Sequence, residues 1–570
     1  MKKKAEKPLI VQSDRTILLE VENPLYEEAR DALSAFAELV KSPEHFHTYR
    51  ITSISLWNAA SAGYHATQVI DLLQKYSRYE VPSNLIYEIN ETMRRYGRLK
   101  LYKSPQQELI LESDDSLLLS ELLYNKGLQS FDLTRLDSRR VLVKSEFRGH
   151  LKCALVKLGF PVEDLAGYVE GAPLQFDLCK ILASGKPFVI RDYQKDAISA
   201  FYAGGTNRGG SGVIVLPCGA GKTIVGIGIM HKLQTHTLVL TTNTVALRQW
   251  KSELLEKTTL TEEQIGEYSG ELKEIKPVTL ATYQILTHRK TKDGPFIHFR
   301  LFEEGAWGLI IYDEVHLLPA PVFRATADLQ TRRRLGLTAT LVREDGKEDE
   351  VFSLIGPKKC DVPWKVLEKQ GWIAEAVCTE VRVPMMAEDR YKYVVASRSG
   401  KFQIASKNTI KISVCKQLLE QHKEDNVLII GQYLDQLKII QKNFGAPIIT
   451  GQTPTRKREE LYQKFRMGEI KLLIVSKVAN FAIDLPDANV AIQVSGTFGS
   501  RQEEAQRLGR ILRPKQSGKQ AHFYTLVTRD TLDQDYALKR QLFLTEQGYQ
   551  YKIVSMEQLD EILDDIQDEN

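Results

Sequence analysis

Apolar residues recur with two different periods along this 570-residue chain, and the change of period divides it. Leu25, Ala29, Ala32, Leu33, Phe36 and Val40 keep the spacing that buries one face of a helix, so the pattern predicts a helix over 25–40. Two more amphipathic stretches lie between about 67 and 97, one carrying Val69, Leu72 and Leu73 and the other opening at Pro82-Ser83. Residues 98–102 and 108–112 then read as a pair of strands. Helices followed by a hairpin have the order of a winged helix, a module that reads DNA in some proteins and binds protein or only supports the fold in others. Over 116–185, a segment too long to be a linker, the pattern predicts a strand at 141–147 and a helix at 149–158.

Beyond the glycine-rich 203–212, which reads as a flexible connection, the period changes. Short aliphatic runs at 213–216, 237–240, 278–281, 309–312 and 334–337 alternate with helical stretches, and a second series follows at 427–430, 448–449, 472–475, 490–494 and 522–526. Such alternation is the signature of parallel sheets covered on both faces by helices. The expected fold class is therefore α/β, with two similar parallel-sheet domains in tandem and a cleft in which a nucleotide controls their separation.

Composition sets bounds on this picture. At 43% hydrophobic and 26% charged, the chain has the make-up of a soluble globular protein, long enough for three or four domains. Its 77 basic and 73 acidic residues leave a net charge of +4, so any nucleic-acid surface must come from local clusters. The basic start Met1-Lys-Lys-Lys4 is not followed by an apolar signal core, and no uninterrupted apolar run is long enough to span a bilayer. A membrane partner is not expected, and the cytoplasm is the expected compartment. The six cysteines show no metal-knuckle or redox spacing, which predicts reduced thiols.

The chemistry concentrates at two strand ends. Val213-Ile-Val-Leu-Pro217-Cys-Gly219-Ala-Gly221-Lys222-Thr223 is a strand opening into a phosphate loop. Gly219 and Gly221 let backbone N–H groups turn onto phosphates, with Ala220 between them; Lys222 reaches the terminal phosphates and the Thr223 hydroxyl suits Mg²⁺. Leu216 stands where the strict motif has its first glycine. A domain's length later, Leu309-Ile-Ile-Tyr-Asp313-Glu314-Val-His316 ends an apolar strand on two carboxylates, Asp313 for the metal and Glu314 to orient and deprotonate the attacking water. Farther on, Gln506-Arg-Leu-Gly-Arg510-Ile-Leu-Arg513 places Arg510 and Arg513 on one helix face, either as arginine fingers or as a solvated basic helix.

The ordered set Arg191/Gln194, Gly219-Ala-Gly-Lys-Thr223, Asp313-Glu-Val-His316, Thr338-Ala-Thr340 and Gln506 to Arg513 resembles the motifs of superfamily 2 helicases. The longer strings Asp313-Glu-Val-His-Leu-Leu-Pro-Ala320, Leu335-Gly-Leu-Thr-Ala-Thr-Leu-Val-Arg-Glu-Asp345 and Gln502-Glu-Glu-Ala-Gln-Arg-Leu-Gly-Arg-Ile-Leu-Arg513 are similar to those of XPB-type DNA helicases. That family includes the translocase of the eukaryotic transcription and repair factor. The likeness is dense from about 190 to 559 and loose over the first hundred or so residues.

The resemblance implies two tandem RecA-like motor domains, 186–362 and 363–570, preceded by small α+β domains. These would be a winged-helix-like module over 1–115 and a damage-recognition-like domain over 116–185. It implies ATP and Mg²⁺ as cofactors, with Arg191 and Gln194 sensing adenine and Asp484 in the ATP site. His316, Thr338 and Thr340 would couple hydrolysis to movement, and Gln506, Arg510 and Arg513 would assist it. Arg343-Glu344-Asp345 corresponds to a signature at the strand-separating junction, or alternatively forms a surface ion cluster. Thr242, Arg248, Thr282, Thr450 and Gly451 would meet the DNA backbone, positioning a strand without reading it. Arg332-Arg-Arg334 and Arg456-Lys-Arg458 would add to that track or form solvated faces. At about 384–408, with Tyr391, Lys392, Tyr393, Arg398, Lys401 and Phe402, the family has a thumb-like insertion; the same residues suit a helix hairpin packed on its own domain. Ala479-Asn-Phe-Ala-Ile483 departs from the Gly-Asp-rich version of eukaryotic members. The chain also lacks their long extensions, so a stand-alone prokaryotic form, acting as a monomer, is expected.

The function these readings imply is ATP-dependent 3′–5′ DNA unwinding or translocation in repair, on single strands and duplex junctions, with a nuclease or another repair protein as partner. The alternatives are a duplex translocase that remodels DNA or activates a nuclease without unwinding, a non-catalytic scaffold, and a motor on RNA.

Overall fold

The computed structural model describes residues 7–41, 45–106, 108–206, 208–217, 219–290, 297–318, 322, 332–339, 348–362, 364–372, 374–476, 488–496, 520–546, 549 and 551–559. The chain forms two compact units. The first comprises Met1–Val40, Glu44–Leu216 and Gly221–Val362; the second comprises Pro363–Asn570 with the short pieces Lys41–Pro43 and Pro217–Ala220.

Near the N-terminus, β1 (Leu9–Val11), β2 (Thr16–Glu20), β3 (Glu38–Lys41) and β4 (Phe46–Arg50) form a sheet in the order β1-β2-β4-β3. The helix expected over 25–40 covers only Tyr26–Leu33. The Phe36 N–H bonds back to the Leu33 carbonyl and closes the turn; the next residues alternate, burying Leu39 and exposing Val40. Helical spacing and strand alternation overlap here, and pairing with the sheet decides. Helices Ser53–Ser61, Ala66–Tyr76 and Ser83–Arg95 follow, the first started by a capping box between Thr52 and Ser55.

The expected hairpin forms as β5 (Leu99–Lys103) and β6 (Leu109–Ser113), with Leu101 opposite Leu111. It is not the wing of a helical module. β6 buries Leu109, Ile110 and Leu111 in succession, so it needs cover on both sides. It pairs outward with β8 (Arg140–Val143), in a five-stranded sheet ordered β7-β8-β6-β5-β9 that also contains β7 (Thr134–Arg135) and β9 (Val162–Asp164). The sheet thus draws strands from both sides of position 115. The strand expected at 141–147 stops at Val143, where a tight turn at Ser145–Phe147 starts the helix Arg148–Lys157.

Two seven-stranded, wholly parallel sheets follow. The first contains β10 (Ser211–Val215), β11 (Thr237–Thr241), β12 (Ile265–Tyr268), β13 (Val278–Thr282), β14 (Leu309–Asp313), β15 (Arg333–Thr338) and β16 (Lys358–Asp361), in the order β12-β13-β11-β14-β15-β10-β16. The second contains β17 (Ala376–Val383), β18 (Val427–Gly431), β19 (Ile448–Ile449), β20 (Leu472–Ser476), β21 (Val490–Gln493), β22 (Ala521–Thr528) and β23 (Tyr551–Ser555), in the order β19-β20-β18-β21-β22-β17-β23. The aliphatic runs named by pattern are five strands of each sheet: every inner strand except β17, together with the edge strand β19. β12, β16, β17 and β23 escaped notice because glycine or charge breaks their apolar pattern, as Glu380 and Arg382 do in β17, where they pair at 2.8 Å.

The basic triplet Arg332-Arg-Arg334 is structural, not a solvated track. Arg334 is fully buried, donating to the Leu354 carbonyl at 2.7 Å and to Ser211 Oγ at 3.1 Å. The segment 384–408 is a helix hairpin, Ala387–Val395 and Arg398–Ser406, packed on its own unit: Phe402 and Ala405 are buried, and the Leu532 N–H donates to Tyr393 Oη at 2.9 Å. Among the described residues no helix is long and apolar enough to cross a membrane.

Candidate active site

Strand register builds the site. β15 lies between β10 and β14, with Val215 opposite Thr338 and Leu337 opposite Asp313. The carboxyl ends of these three strands therefore form one row: the start of the phosphate loop, Thr338, and the acidic pair. Ligands of open parallel sheets bind along this edge. The loop turns through two left-handed glycines, Gly219 (φ 82°) and Gly221 (φ 78°), into the helix Lys222–Leu233. A Cβ on Gly221 would lie 2.6 Å from Gln194 Nε2, so the side chain of Gln194 takes the space a larger residue would need. Gln194 is buried, its Oε1 accepts the Arg191 N–H at 3.0 Å, and Arg191 and Gln194 both donate to Tyr193 Oη.

Lys222 Nζ donates to Glu314 Oε1 at 2.5 Å. The backbone N–H of Ala339 also supports this carboxylate, and His316 Nδ1 stands 3.5 Å from Glu314 Oε2 and 2.7 Å from Thr338 Oγ1. Burial opposes ionisation of Glu314, but the Lys222 ammonium, with His316 behind it, outweighs burial and holds the carboxyl below its ordinary value. Glu314 Oε2 is buried and has no hydrogen-bond partner among the described residues. A left-handed backbone at Glu314 (φ 50°), unusual outside glycine, turns the pair apart. Asp313 Oδ1 accepts the Glu314 N–H at 3.1 Å, stabilising that turn.

Asp313 faces a different environment. Burial, and then the Glu314 charge, push its carboxyl up to about 6. Trp250 Nε1 donates to Asp313 Oδ2 at 3.0 Å, and Tyr283 Oη donates to the Asp313 carbonyl at 2.8 Å. Both aromatics went unremarked in the sequence, where a buried Trp or Tyr looks like any core residue. Asp313 and the Thr223 hydroxyl are hard oxygen donors, the set that suits Mg²⁺ shared with a nucleotide's phosphates. Among the described residues no cluster of three or more His, Cys, Asp and Glu forms a self-sufficient metal cage.

The residues expected at the DNA differ in state. Arg248 is exposed and paired with Glu271 at 2.8 Å; Thr242 is half-buried at the end of β11. Thr282 is buried, and its hydroxyl caps the short helix Tyr283–Leu286 by accepting the Ile285 N–H, so its side chain serves the fold. In the second unit Thr450 and Gly451 lie in the turn after β19, where Arg458 donates to the Thr450 and Thr453 carbonyls. Thr340, Arg343, Glu344, Asp345, Asp484, Gln506, Arg510 and Arg513 lie outside the described residues.

A phosphate loop after one strand, an acidic pair after a second, a Thr-His link between them, and two parallel sheets of one strand order define a RecA-like, ATP-hydrolysing motor. Comparison with known proteins narrows the class. Family models described as ERCC3/RAD25/XPB C-terminal helicase and as type III restriction enzyme, res subunit, match residues 367–569 and 187–343, and one described as a helicase conserved C-terminal domain matches residues 9–137. The chain is 56% identical to the DNA 3′–5′ helicase XPB of Mycobacterium tuberculosis, over 96% of this chain and 97% of that one. It is 54% identical to its counterpart in Kineococcus radiotolerans, over 97% of each. It is 32% identical to the Saccharomyces cerevisiae transcription and DNA repair factor IIH subunit XPB/SSL2, over 97% of this chain and 72% of that one. The chain belongs to the XPB family of DNA helicases.

Proposed function

We propose that the chain is an ATP-dependent 3′–5′ DNA helicase or translocase acting in DNA repair. The observation that carries this reading is the Glu314 carboxylate, with one oxygen held by Lys222 and the other buried with no hydrogen-bond partner among the described residues, in line with Thr338 and beside Asp313. An oxygen so placed has the capacity to accept the proton of an attacking water. Lys222 exchanges its carboxylate partner for the phosphates of ATP when the nucleotide enters. Asp313 and Thr223 would hold Mg²⁺, which would supply charge neutralisation at the phosphates. His316 and Thr338 carry the state of the Glu314 carboxylate into β15, while Arg191 and Gln194 read the base. Thr242, Arg248, Thr450 and Gly451 meet the backbone of one DNA strand, and Arg248 leaves its exposed partner Glu271 at little cost. The division into two motor domains after an N-terminal part, the cytoplasm, and a repair partner with nuclease activity belong to the same reading.

Strand separation on duplexes carrying a 3′ or a 5′ single-stranded tail tests it, with Lys222→Ala as the inactive control. Unwinding of the 3′-tailed substrate alone is expected. DNA-stimulated hydrolysis without separation on either would make the protein a translocase only, and no DNA-stimulated hydrolysis would overturn the reading.

A further inference from the structure

The two elements that the resemblance sets at the DNA in the first unit, the helix after Thr242 and the end of β13, are each followed or occupied by a buried aromatic that hydrogen bonds to Asp313. The helix Thr244–Lys257 follows Thr242 and carries exposed Arg248; two residues beyond Arg248, Trp250 is buried and its Nε1 lies 3.0 Å from Asp313 Oδ2. β13 ends at Thr282, and the next residue, Tyr283, is buried with its hydroxyl 2.8 Å from the Asp313 carbonyl. One aromatic holds the carboxylate of Asp313 and the other holds its backbone.

Neither ring is free to follow its neighbours loosely. A Cβ on Gly226, in the phosphate-loop helix, would lie 2.5 Å from Trp250 Cη2, so the indole rests on bare backbone there. Leu337 of β15 meets Gly226 too, its Cδ1 within 3.4 Å of the same position. Trp250 thus touches the phosphate-loop helix at a residue that also meets the strand leading to Thr338, and it bonds the carboxylate of Asp313. A shift of the helix Thr244–Lys257 must move the indole N–H, and with it the aim of Asp313, because packing at this density passes displacement on.

We infer that Trp250 and Tyr283 are positioning residues that couple DNA engagement to ATP hydrolysis through the two ends of Asp313. The inference deepens the proposed function and rests on it. Coupling of this kind is reciprocal: if DNA alters the ATP site through these bonds, bound nucleotide alters DNA affinity by the same factor.

The full chain with Trp250→Phe or Tyr283→Phe tests the inference, since each change keeps the ring and removes only the donor. DNA affinity is measured on a labelled single-stranded oligonucleotide with and without a nonhydrolysable ATP analogue and Mg²⁺, beside steady-state hydrolysis with and without DNA. In each variant the nucleotide-induced change in DNA affinity and the DNA stimulation of kcat are expected to fall by about fivefold to tenfold, the reach of one buried hydrogen bond. DNA affinity without nucleotide and KM for ATP without DNA are expected to stay within about twofold of wild type. Retention of both couplings within about twofold in both variants overturns the inference, as does an equal loss of nucleotide-free DNA affinity. Thermal melting identifies a variant that does not fold, and the other then carries the test. A wild type with neither DNA stimulation nor nucleotide-linked affinity removes the proposed function itself, an outcome distinct from normal coupling in the variants.

Discussion

The two seven-stranded sheets have one topology: β10 to β16 in the first occupy the positions of β17 to β23 in the second, strand for strand. Their carboxyl edges differ among the described residues. β10 opens into the phosphate loop, whereas its counterpart β17 opens into Pro384-Met-Met and the hairpin helix Ala387–Val395. β14 ends on Asp313-Glu314, whereas its counterpart β21 runs into Val494-Ser495. There the Ser495 hydroxyl bonds Gln432 and Gln436, and the Val494 carbonyl accepts Lys411 Nζ, which also donates to Asp533 at 2.7 Å. Each sheet thus has a lysine–carboxylate pair at this edge. Lys411 and Asp533 are both 1% exposed and flanked by Arg540, while Lys222 and Glu314 keep 12% and 18% of their surface. Fold alone does not make a catalytic edge; a charged pair that stays within reach of solvent and ligand does.

The sharpest break of this comparison is Glu314→Gln, expected to lower kcat by about 10²- to 10⁴-fold while ATP still binds. Steady-state hydrolysis beside equilibrium binding of a labelled nucleotide checks it, and wild-type turnover would refute the role. Asp533→Ala strands a buried ammonium and is expected to cost about 3–5 kcal/mol of stability in denaturant unfolding. Lys222→Ala, at an edge water reaches, is expected to cost less in the same measurement; equal losses would erase the contrast between the edges. Gly221→Ala forces a left-handed φ on alanine and presses its methyl on Gln194, at a cost of about 1–2 kcal/mol. Weaker ATP binding at an intact fold is the expected readout.

The smallest effect concerns a third ion cluster, in the first unit but of the second unit's kind. Asp164 binds Arg148 at 2.7 Å and Lys152 at 3.0 Å, with both cations buried. Burial, only partly offset by Asp164, pushes the Lys152 ammonium down from 10.5 to about 8. Between those values the unfolded chain binds more protons than the folded one, so the contribution of Lys152 to stability rises with pH through that window. The stability of wild type relative to Lys152→Met is therefore expected to increase between pH 7.5 and 9.5, and a flat difference would show that this lysine does not titrate there.

The phosphate loop, the acidic pair and the unbroken aliphatic strands were legible because each is a local pattern: small residues where backbone must meet phosphate, and apolar runs bounded by turns. The same locality explains the misses. Residues 36–40 fit helix and strand equally until a partner strand claimed them. The triplet Arg332-Arg-Arg334 looked solvated because charge counts carry no depth, and Trp250 and Tyr283 looked like core because their acceptor is remote in sequence.

Residue order alone thus specifies which segments become strands, where phosphate and carboxylate chemistry sits, and to which family the motifs point. Folding supplies what local order does not encode: the placing of β15 between β10 and β14, the pairing of Lys222 with Glu314 across 92 positions, and the reach of Trp250 to Asp313 across 63. Those contacts exist because sheet register and burial bring distant residues to one edge, where a low-dielectric surrounding strengthens the bonds that form and raises the cost of any left unmade.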